Sequence, residues 1–395
     1  MEDKLVFEEV YKINMTCLRL NLSHPSVPRD LKWLLTFILM QGLYTAFNAI
    51  CLYNLIFINV KENDFPNACS NGVYMVIYFV VTFKYGVMVW YQKDIKDVIR
   101  YQQEYFDSFR EYTVEEQAVV KDYIQRGQWV SKLWLRSTIV TAGMFPVKSF
   151  IDSAYSAYAG DFRLHSFNEN SYGPYIDEIK GRVDVFILMY AIFSVYTTYT
   201  AIMYSGFAPF GPLCILNACA QMDIVMMRVN HLFDEGFDKE KSPKQLQNLV
   251  KFTQNIYGFV DQINDIFQVL YEMCLKASAI LIPISLYLII EGFSEGKLYY
   301  DYVMFSYMAS LLCFVPCYYS DYLKEKGDDL RCAIYASGWE KFYDRNTRVT
   351  LRIMLIRATR SLSIKTVFRA VCLEAFSDLC KEAYVIFNMM YAVLH

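Results

Sequence analysis

Long apolar stretches with few charges are the feature that most constrains what this chain can fold into. A helix needs about 20 apolar residues to cross the ~30 Å hydrocarbon core of a bilayer. With 55% hydrophobic and only 20% charged residues, the sequence is more apolar than a typical soluble domain. Six stretches meet the length requirement, at residues 33–60, 72–91, 183–216, 266–292, 299–323 and 371–394.

A seventh stretch, residues 129–151, is interrupted by Lys132, Arg136 and Lys148. Its centre, residues 137–147, carries no charge, and the flanking cations can extend to the two membrane interfaces. We therefore predict an all-α polytopic membrane protein with seven transmembrane helices.

Lysine and arginine concentrate in alternate segments, which predicts the orientation of the chain. They are abundant in residues 1–32 and after the second, fourth and sixth spans, and sparse in the segments between. Since cytoplasmic loops hold the excess of basic residues, the N-terminus is expected inside the cell. Seven spans then place the C-terminus outside, the reverse of G-protein-coupled receptors.

Two glycosylation triplets would contradict this orientation if they were used, because glycans are added on the lumenal side. They are Asn14-Met15-Thr16 and Asn21-Leu22-Ser23. Such triplets are frequent by chance, and we expect both to be unmodified.

The chain divides into a cytoplasmic N-terminus (1–32), spans one to six with cytoplasmic helical extensions (33–323), a cytoplasmic anchor helix (324–369) and a last span (370–395). Apolar residues at helical spacing within 245–270 and 330–360 predict cytoplasmic helices. The alternative for each is a helix lying on the membrane surface. Residues 152–181, rich in Tyr, Ser, Asn and Gly, predict a lid or vestibule wall.

Motifs of catalysis and metal binding are missing from the sequence. It contains no HExxH, GxSxG, P-loop or paired-cysteine motif, and its four histidines are dispersed. The eleven cysteines have no zinc spacing and read as small buried hydrophobic residues. We predict no enzymatic activity, no cofactor and no metal, and the absence of a basic stripe argues against nucleic acid.

The most specific local pattern runs from Cys317 to the end of the chain. It contains Cys317-Tyr-Tyr-Ser-Asp-Tyr-Leu323 and then Tyr335, Trp339, Leu373, Phe376 and Tyr384. This pattern resembles the insect odorant receptor family, in which a Tyr and a Trp follow the sixth span and a Leu-x-x-Phe opens the last one. The chain departs from that family at Lys326-Gly327, at Ala383 and at Asn388-Met389-Met390. The Thr-Tyr and Gln-Phe pattern of the related gustatory receptors is missing.

The resemblance implies a subunit of an odorant-gated, non-selective cation channel that binds a small volatile apolar ligand and opens in response. In the family, four subunits surround a pore lined by the last span, and a tuning subunit assembles with an obligate co-receptor. The short segment 209–265 and the residues Gln221 and Asp223 are similar to tuning subunits rather than the co-receptor. The chain is expected to be a multi-pass protein in the cell membrane of olfactory neuron dendrites.

Five residues of the last span are predicted to line the pore. At 100° per residue, Asp378, Glu382, Met389 and Val393 share one helix face, and Glu374 borders it. Acids beneath an apolar constriction would attract cations towards a hydrophobic gate. The alternative is that the acids pair with neighbouring Lys or Arg on the cytoplasmic helices and that Met389 and Val393 pack between subunits.

An odorant pocket should combine aromatic side chains with a few polar groups. In the family it lies in the outer half of the membrane, among spans two, three, four and six. The resemblance assigns to it Phe79, Phe83, Thr141, Phe145, Tyr190, Phe193, Tyr302 and Phe305. Ordinary helix packing is the alternative role for each of them.

Other classes of membrane protein remain open at this point. A metabotropic seven-helix chemoreceptor is opposed by the distribution of basic residues, and a gustatory-type receptor subunit by the motif of the last span. A transporter would show paired repeats, which are not evident. A membrane subunit that only scaffolds a partner is the fourth alternative.

Overall fold

The chain is predominantly helical in the part that this computed structural model describes, namely residues 5–158, 164–165, 178–179, 182–234, 242–294, 296, 299–341 and 344–394. Within those ranges no strand forms, and one isolated antiparallel bridge joins Lys365 to Ala370. The predicted all-α class is confirmed.

The helices have the following bounds in chain order. They are α1 (Phe7–Val10), α2 (Lys12–Leu20), α3 (Leu31–Asn54), α4 (Phe65–Trp90), α5 (Gln92–Asp107), α6 (Val114–Tyr158), α7 (Val183–Phe207), α8 (Phe210–Asp234), α9 (Ser242–Ser294), α10 (Tyr300–Ala336), α11 (Arg345–Ala358) and α12 (Leu373–Leu394). A π-helical turn, Leu55–Asn59, and the short helix Val60–Glu62 extend α3 without a break.

Membrane-crossing length and composition occur in α3, α4, α9, α10 and the α7–α8 pair. The other two predicted spans, within α6 and α12, carry more charged residues. Both pack directly on the apolar helices, α6 against α7 and α8, and α12 against α9 and α10. That these two helices also cross the membrane stays a prediction, which this packing supports.

The predicted fourth span, 183–216, is divided in the structure. Helix α7 ends at Phe207, and α8 begins at Phe210, directly after Pro209. Proline has no amide N–H, so Pro209 cannot donate to the carbonyl of Ser205, four residues earlier. The side-chain amide of Asn14 donates to that carbonyl instead, at 3.2 Å. The N-terminal helix α2 thus caps the break.

Both asparagines of the glycosylation triplets are buried. Asn14 is occupied with Ser205, and the Asn21 amide lies 3.0 Å from the Met203 sulfur. A glycan on either amide would require this packing to open, which supports the expectation that neither triplet is modified.

The predicted helix over 245–270 is confirmed as part of α9, whose 53 residues span about 80 Å. The predicted single helix over 330–360 is wrong. Helix α10 ends at Ala336, Gly338 adopts a left-handed φ of 80°, and a new helix, α11, begins at Arg345. Glycine is the residue that adopts this conformation without a steric penalty, and here it ends the helix.

Residues 152–158 belong to α6 rather than to a loop, and most of the remaining predicted lid, up to residue 181, lies outside the described residues.

The centre of the fold is formed by α9 and α10, which contact each other along much of their lengths. Helices α8, α4 and α12 pack around this pair, and α6 and α7 complete one side. Each of three long helices contains a proline, namely Pro146 in α6, Pro283 in α9 and Pro316 in α10.

Candidate functional site

A cavity lies among α4, α6, α7, α9 and α10. Its volume is about 60 Å³, more than one water needs but less than the roughly 150 Å³ of an apolar cavity that admits benzene. The lining residues are Tyr74, Ile77, Thr138, Thr141, Ala142, Phe145, Tyr196, Thr197, Thr200, Ala201, Tyr204, Leu281, Phe305, Met308, Ala309 and Leu312.

Aromatic rings form a connected part of the cavity wall. The ring centroids of Phe145 and Phe305 lie 5.7 Å apart, and Tyr74 meets Phe305 edge-on at 5.6 Å. Behind them, Phe193 meets Phe145 edge-on at 5.3 Å. Such pairs contribute about 0.5–1.5 kcal/mol each beyond their buried area. The wall is therefore held in place by its own ring contacts.

The hydroxyl groups of the cavity are mostly engaged within the protein. Thr141, Thr197 and Thr200 each donate to a backbone carbonyl of their own helix, at 2.8, 3.1 and 2.9 Å. Thr138 and Ser205 share a hydrogen bond of 2.6 Å. The cavity is thus suited to small, mostly apolar molecules that are recognised largely by shape.

Three of the eight predicted pocket residues, Thr141, Phe145 and Phe305, line this cavity. Two more lie one layer behind it. Phe193 packs on Phe145, and Tyr302 packs on Phe305 with a centroid distance of 6.2 Å. The Tyr302 hydroxyl also shares a short hydrogen bond with Ser70.

The structure does not bring the remaining three to the cavity. Phe79 is 56% exposed on the outside of α4, where it stacks loosely on Phe83 at 6.5 Å. Tyr190 lies near Phe186 at 6.0 Å, at the more exposed end of α7. That these three residues contact the ligand stays a prediction, because they do not line the cavity that the other five line or support.

The largest set missed by sequence reasoning comes from α7. Tyr196, Thr200 and Tyr204 recur every four residues and present one face of that helix to the cavity. Leu281 was missed because the fifth span had not been assigned to the pocket. The four-residue spacing was visible in the sequence, but an apolar membrane helix has no polar face to show which side is inward.

One face of α12 packs on the rest of the chain, and the other is exposed. Ala375, Leu379 and Ala383 are buried against α9 and α10. Away from that face, Tyr384 and Met389 are 62% and 64% exposed. The helix therefore presents an unpaired surface in the single chain.

The predicted pore residues lie on or near the exposed surface of α12. Glu374 and Glu382 are exposed and Asp378 is half-buried, with Lys381 donating to its carboxylate at 3.0 Å. Lys381 is on α12 itself, so this contact is not the predicted alternative of pairing with cations on the cytoplasmic helices, and both partners reach solvent. Val393 belongs to α12, but its side chain lies outside what the structure describes.

The motif residues of the last third hold the end of α10 to the start of α12. Phe376 meets Phe314 edge-on at 5.5 Å. The amide N–H of Leu373 donates to the Asp321 carboxylate at 2.7 Å. Trp339 packs on the core, whereas Tyr335 is exposed.

A polar cluster around Asp223 ties α6, α8 and α10 together beyond the predicted spans. Its carboxylate accepts from the Tyr123 hydroxyl at 2.7 Å and from the Lys326 ammonium at 3.0 Å. Arg126 donates to the Tyr322 hydroxyl at 3.1 Å, and this hydroxyl lies 2.9 Å from that of Tyr123. Burial, followed by these hydrogen bonds, raises the pKa of Tyr123 well above its ordinary value. Tyr123 therefore acts as a neutral donor.

Gln221, the second residue singled out on α8, accepts a hydrogen bond from the Tyr101 hydroxyl at 2.8 Å. Gln221 and Asp223 thus both join α8 to its neighbours, on α5 in the first case and on α6 and α10 in the second.

Comparisons with known proteins agree with this architecture. The chain is similar in structure to the insect olfactory receptor OR5 from Machilis hrabei in complex with eugenol, with a TM-score of 0.75, 14% identity and 98% of both chains covered. The same receptor, solved as "The structure of the insect olfactory receptor OR5 from Machilis hrabei", gives a TM-score of 0.74 at 13% identity, covering 98% of this chain and 97% of that one. At such identities the likeness shows a shared fold alone.

A search of curated protein sequences gives no significant match. The family model described as 7tm Odorant receptor, however, matches residues 64–384. That match covers most of the chain, including α4 to α11, the cavity and the first half of α12. On this evidence the chain belongs to the 7tm odorant receptor family.

Proposed function

We propose that this protein is the ligand-tuning subunit of an odorant-gated, non-selective cation channel that it forms with a co-receptor. The observation that carries the proposal is the cavity, whose aromatic and methyl-rich wall fits a small volatile ligand. Family membership supports the receptor role, and the channel and the co-receptor partnership follow from what the family is known for.

The volume of the cavity bears on how a ligand would enter. About 60 Å³ is too little for most volatile molecules without movement of the wall. A ligand that prefers the wider arrangement shifts the equilibrium towards it, and gating follows if that arrangement is also the open one. The central contacts of α9 and α10 with both the cavity and α12 provide a direct mechanical route.

The decisive experiment is a voltage-clamp recording from three sets of oocytes. One set expresses this chain alone, one expresses it together with an insect odorant receptor co-receptor, and one expresses neither chain. A volatile panel that includes eugenol is applied to each. We expect an inward cation current only when both chains are present. Current from this chain alone would contradict the assignment as a tuning subunit, and no current despite confirmed surface expression would refute the channel function.

The exposed acids of α12 are proposed to line the cation path. Glu382→Lys and Asp378→Lys should each lower the relative permeability of divalent cations, because a positive charge in a narrow path repels them most strongly. Glu104→Lys on α5, another exposed acid, is the matched control. Unchanged permeability ratios in both α12 variants would exclude an acidic path.

We also propose that the protein lies in the cell membrane of olfactory neuron dendrites, with its N-terminus facing the cytoplasm and its C-terminus facing the exterior. The excess of Lys and Arg in residues 1–32 and 324–369 supports this orientation. An epitope tag on the C-terminus should be stained in intact cells and one on the N-terminus only after permeabilisation. The opposite pattern would favour a metabotropic seven-helix receptor.

A further inference from the structure

A lysine is buried inside the apolar helix α4 without a hydrogen-bond partner. Lys84 is 1% exposed, and among the residues that the structure describes its ammonium group has no hydrogen-bond acceptor. The ammonium group lies over the ring of Tyr204, whose centroid is 4.2 Å from Nζ. A buried cation that lacks a hydrogen-bonding counterpart is costly, and in membrane spans such residues usually serve a function.

A second unpartnered donor lies at the same place. Trp134 of α6 is 1% exposed, and its indole Nε1–H has no acceptor within the described ranges. The Trp134 ring stacks on Tyr204 with a centroid distance of 6.5 Å and an interplanar angle of 12°. Lys84 and Trp134 are thus two pure donors beside one tyrosine ring.

Both donors lie at one end of the cavity. Tyr204 itself lines it. Lys84 follows the lining residue Ile77 by two turns on the same face of α4, and Trp134 precedes the lining residue Thr138 by one turn of α6. Since these helices run in opposite directions, both steps lead to the end where Tyr204 is found. The cavity therefore ends in a ring that separates it from two unused donors.

We infer that this end of the cavity binds a hydrogen-bond acceptor oxygen of the ligand, with Lys84 and Trp134 as its donors. The ligand class is a small apolar molecule with a carbonyl group at one end. Rotation of the Tyr204 ring opens the path, and the carbonyl oxygen supplies the acceptor that the chain does not. This inference rests on the proposed role of the cavity as the ligand site and specifies the chemistry selected there.

The test measures ligand binding to the purified full-length protein, without any current. Two matched pairs replace a carbonyl oxygen by a methylene group of similar shape, namely 2-heptanone with 2-methyl-1-heptene and acetophenone with α-methylstyrene. Affinity is taken from the rise in melting temperature with ligand concentration. We expect at least one ketone to bind about tenfold more tightly than its alkene, which corresponds to about 1.4 kcal/mol.

The variants assign this preference to the two donors. Lys84→Met should abolish it while leaving alkene binding intact, and Trp134→Phe should reduce it. Lys276→Met is the matched control, since Lys276 also lies over an aromatic ring, Phe368 at 4.8 Å, but away from the cavity. If Lys84→Met does not fold, Trp134→Phe carries the test alone.

Equal binding of each ketone and its alkene, binding of neither ketone, or an undiminished preference in both donor variants would overturn the inference. The outcome is separable from that of the channel proposal. Ketone-selective binding without any current would reject the channel and keep the donor site, whereas odorant currents without ketone selectivity would do the reverse.

Discussion

Replacing Glu116 should measurably loosen the packing of α6 on α8. Its carboxylate, 5% exposed, accepts from Arg228 through both Nε, at 2.6 Å, and Nη2, at 3.3 Å. It also accepts from the backbone N–H of Thr113 at 3.0 Å, while the Thr113 hydroxyl accepts from the Glu116 N–H at 3.3 Å. These two bonds form a reciprocal capping box that begins α6.

The expected cost follows from these contacts. Loss of the bond from the Thr113 N–H to the Glu116 carboxylate costs about 0.5–1.5 kcal/mol, whereas the Thr113 hydroxyl still accepts from the backbone N–H of residue 116. Loss of hydrogen bonds to a charged partner costs about 1.5–3 kcal/mol, reduced here because Arg228 remains 40% exposed and can be solvated. Glu116→Ala should therefore destabilise the fold by about 2–3 kcal/mol. The apparent melting temperature of the detergent-solubilised protein should fall by a few degrees.

The neighbour Glu115 provides the matched control. Its side chain is 73% exposed, and its one ion-pair contact in the described structure is a long one, 3.9 Å from His231. Glu115→Ala should change the melting temperature by little. Equal decreases in the two variants would refute the structural reasoning, because the effect would then come from charge or helix propensity and not from the buried contacts.

The pH dependence of Glu116 gives a second check on the same contacts. Burial alone would raise its pKa, but the hydrogen bonds from Arg228 and Thr113 outweigh it, so the pKa lies below the ordinary 4.5. A carboxyl group with a lowered folded-state pKa stabilises fully above its unfolded-state pKa, and this contribution is lost as the pH falls through the folded value. The difference in stability between wild type and Glu116→Gln should thus be constant near neutral pH and shrink below about 4.5.

Two further predictions separate inward from outward positions. Phe145→Ala should shift the half-maximal odorant concentration by about tenfold or change the preferred ligand, whereas Phe79→Ala should leave both unchanged in the same dose–response recordings; equal effects would argue against the cavity as the ligand site. Gly211→Ala would place a methyl group against the Tyr271 hydroxyl and should cost about 1–3 kcal/mol. Gly258→Ala meets no heavy atom within 4 Å and should not destabilise, as thermal unfolding of both variants would show.

The class of the fold could be predicted from the sequence because apolar runs of membrane-spanning length are a strong signal. Details at single residues were harder to predict. Pro209 lies inside the predicted fourth span, yet whether a proline kinks or divides a helix depends on which group donates to the freed carbonyl. Here the donor is Asn14, from a distant part of the chain. Nothing in the local sequence indicates that partner.

The pocket was predicted only in part for a related reason. Phe79 and Phe145 both lie in uncharged runs of predicted spans, but Phe79 faces outwards and Phe145 faces the cavity. In a soluble helix the polar face would distinguish them, whereas a membrane helix is apolar on both sides. Lys84, by contrast, was visible as a lone cation within an apolar run, and its environment emerges only from the packing of α4 on α6 and α7.

The three helix prolines make the cavity wall compliant at the level where a ligand would press on it. Pro146 and Pro316 deprive Ala142 and Leu312, both lining residues, of the backbone bond each would otherwise accept, and Pro283 follows the lining residue Leu281 by two positions. Each of these helices can therefore bend at its proline, where a backbone hydrogen bond is missing. Swelling of a small cavity can then be taken up as bending, and over the roughly 60 Å from Pro283 to the start of α9 at Ser242 a few degrees of bend become a displacement of several ångströms.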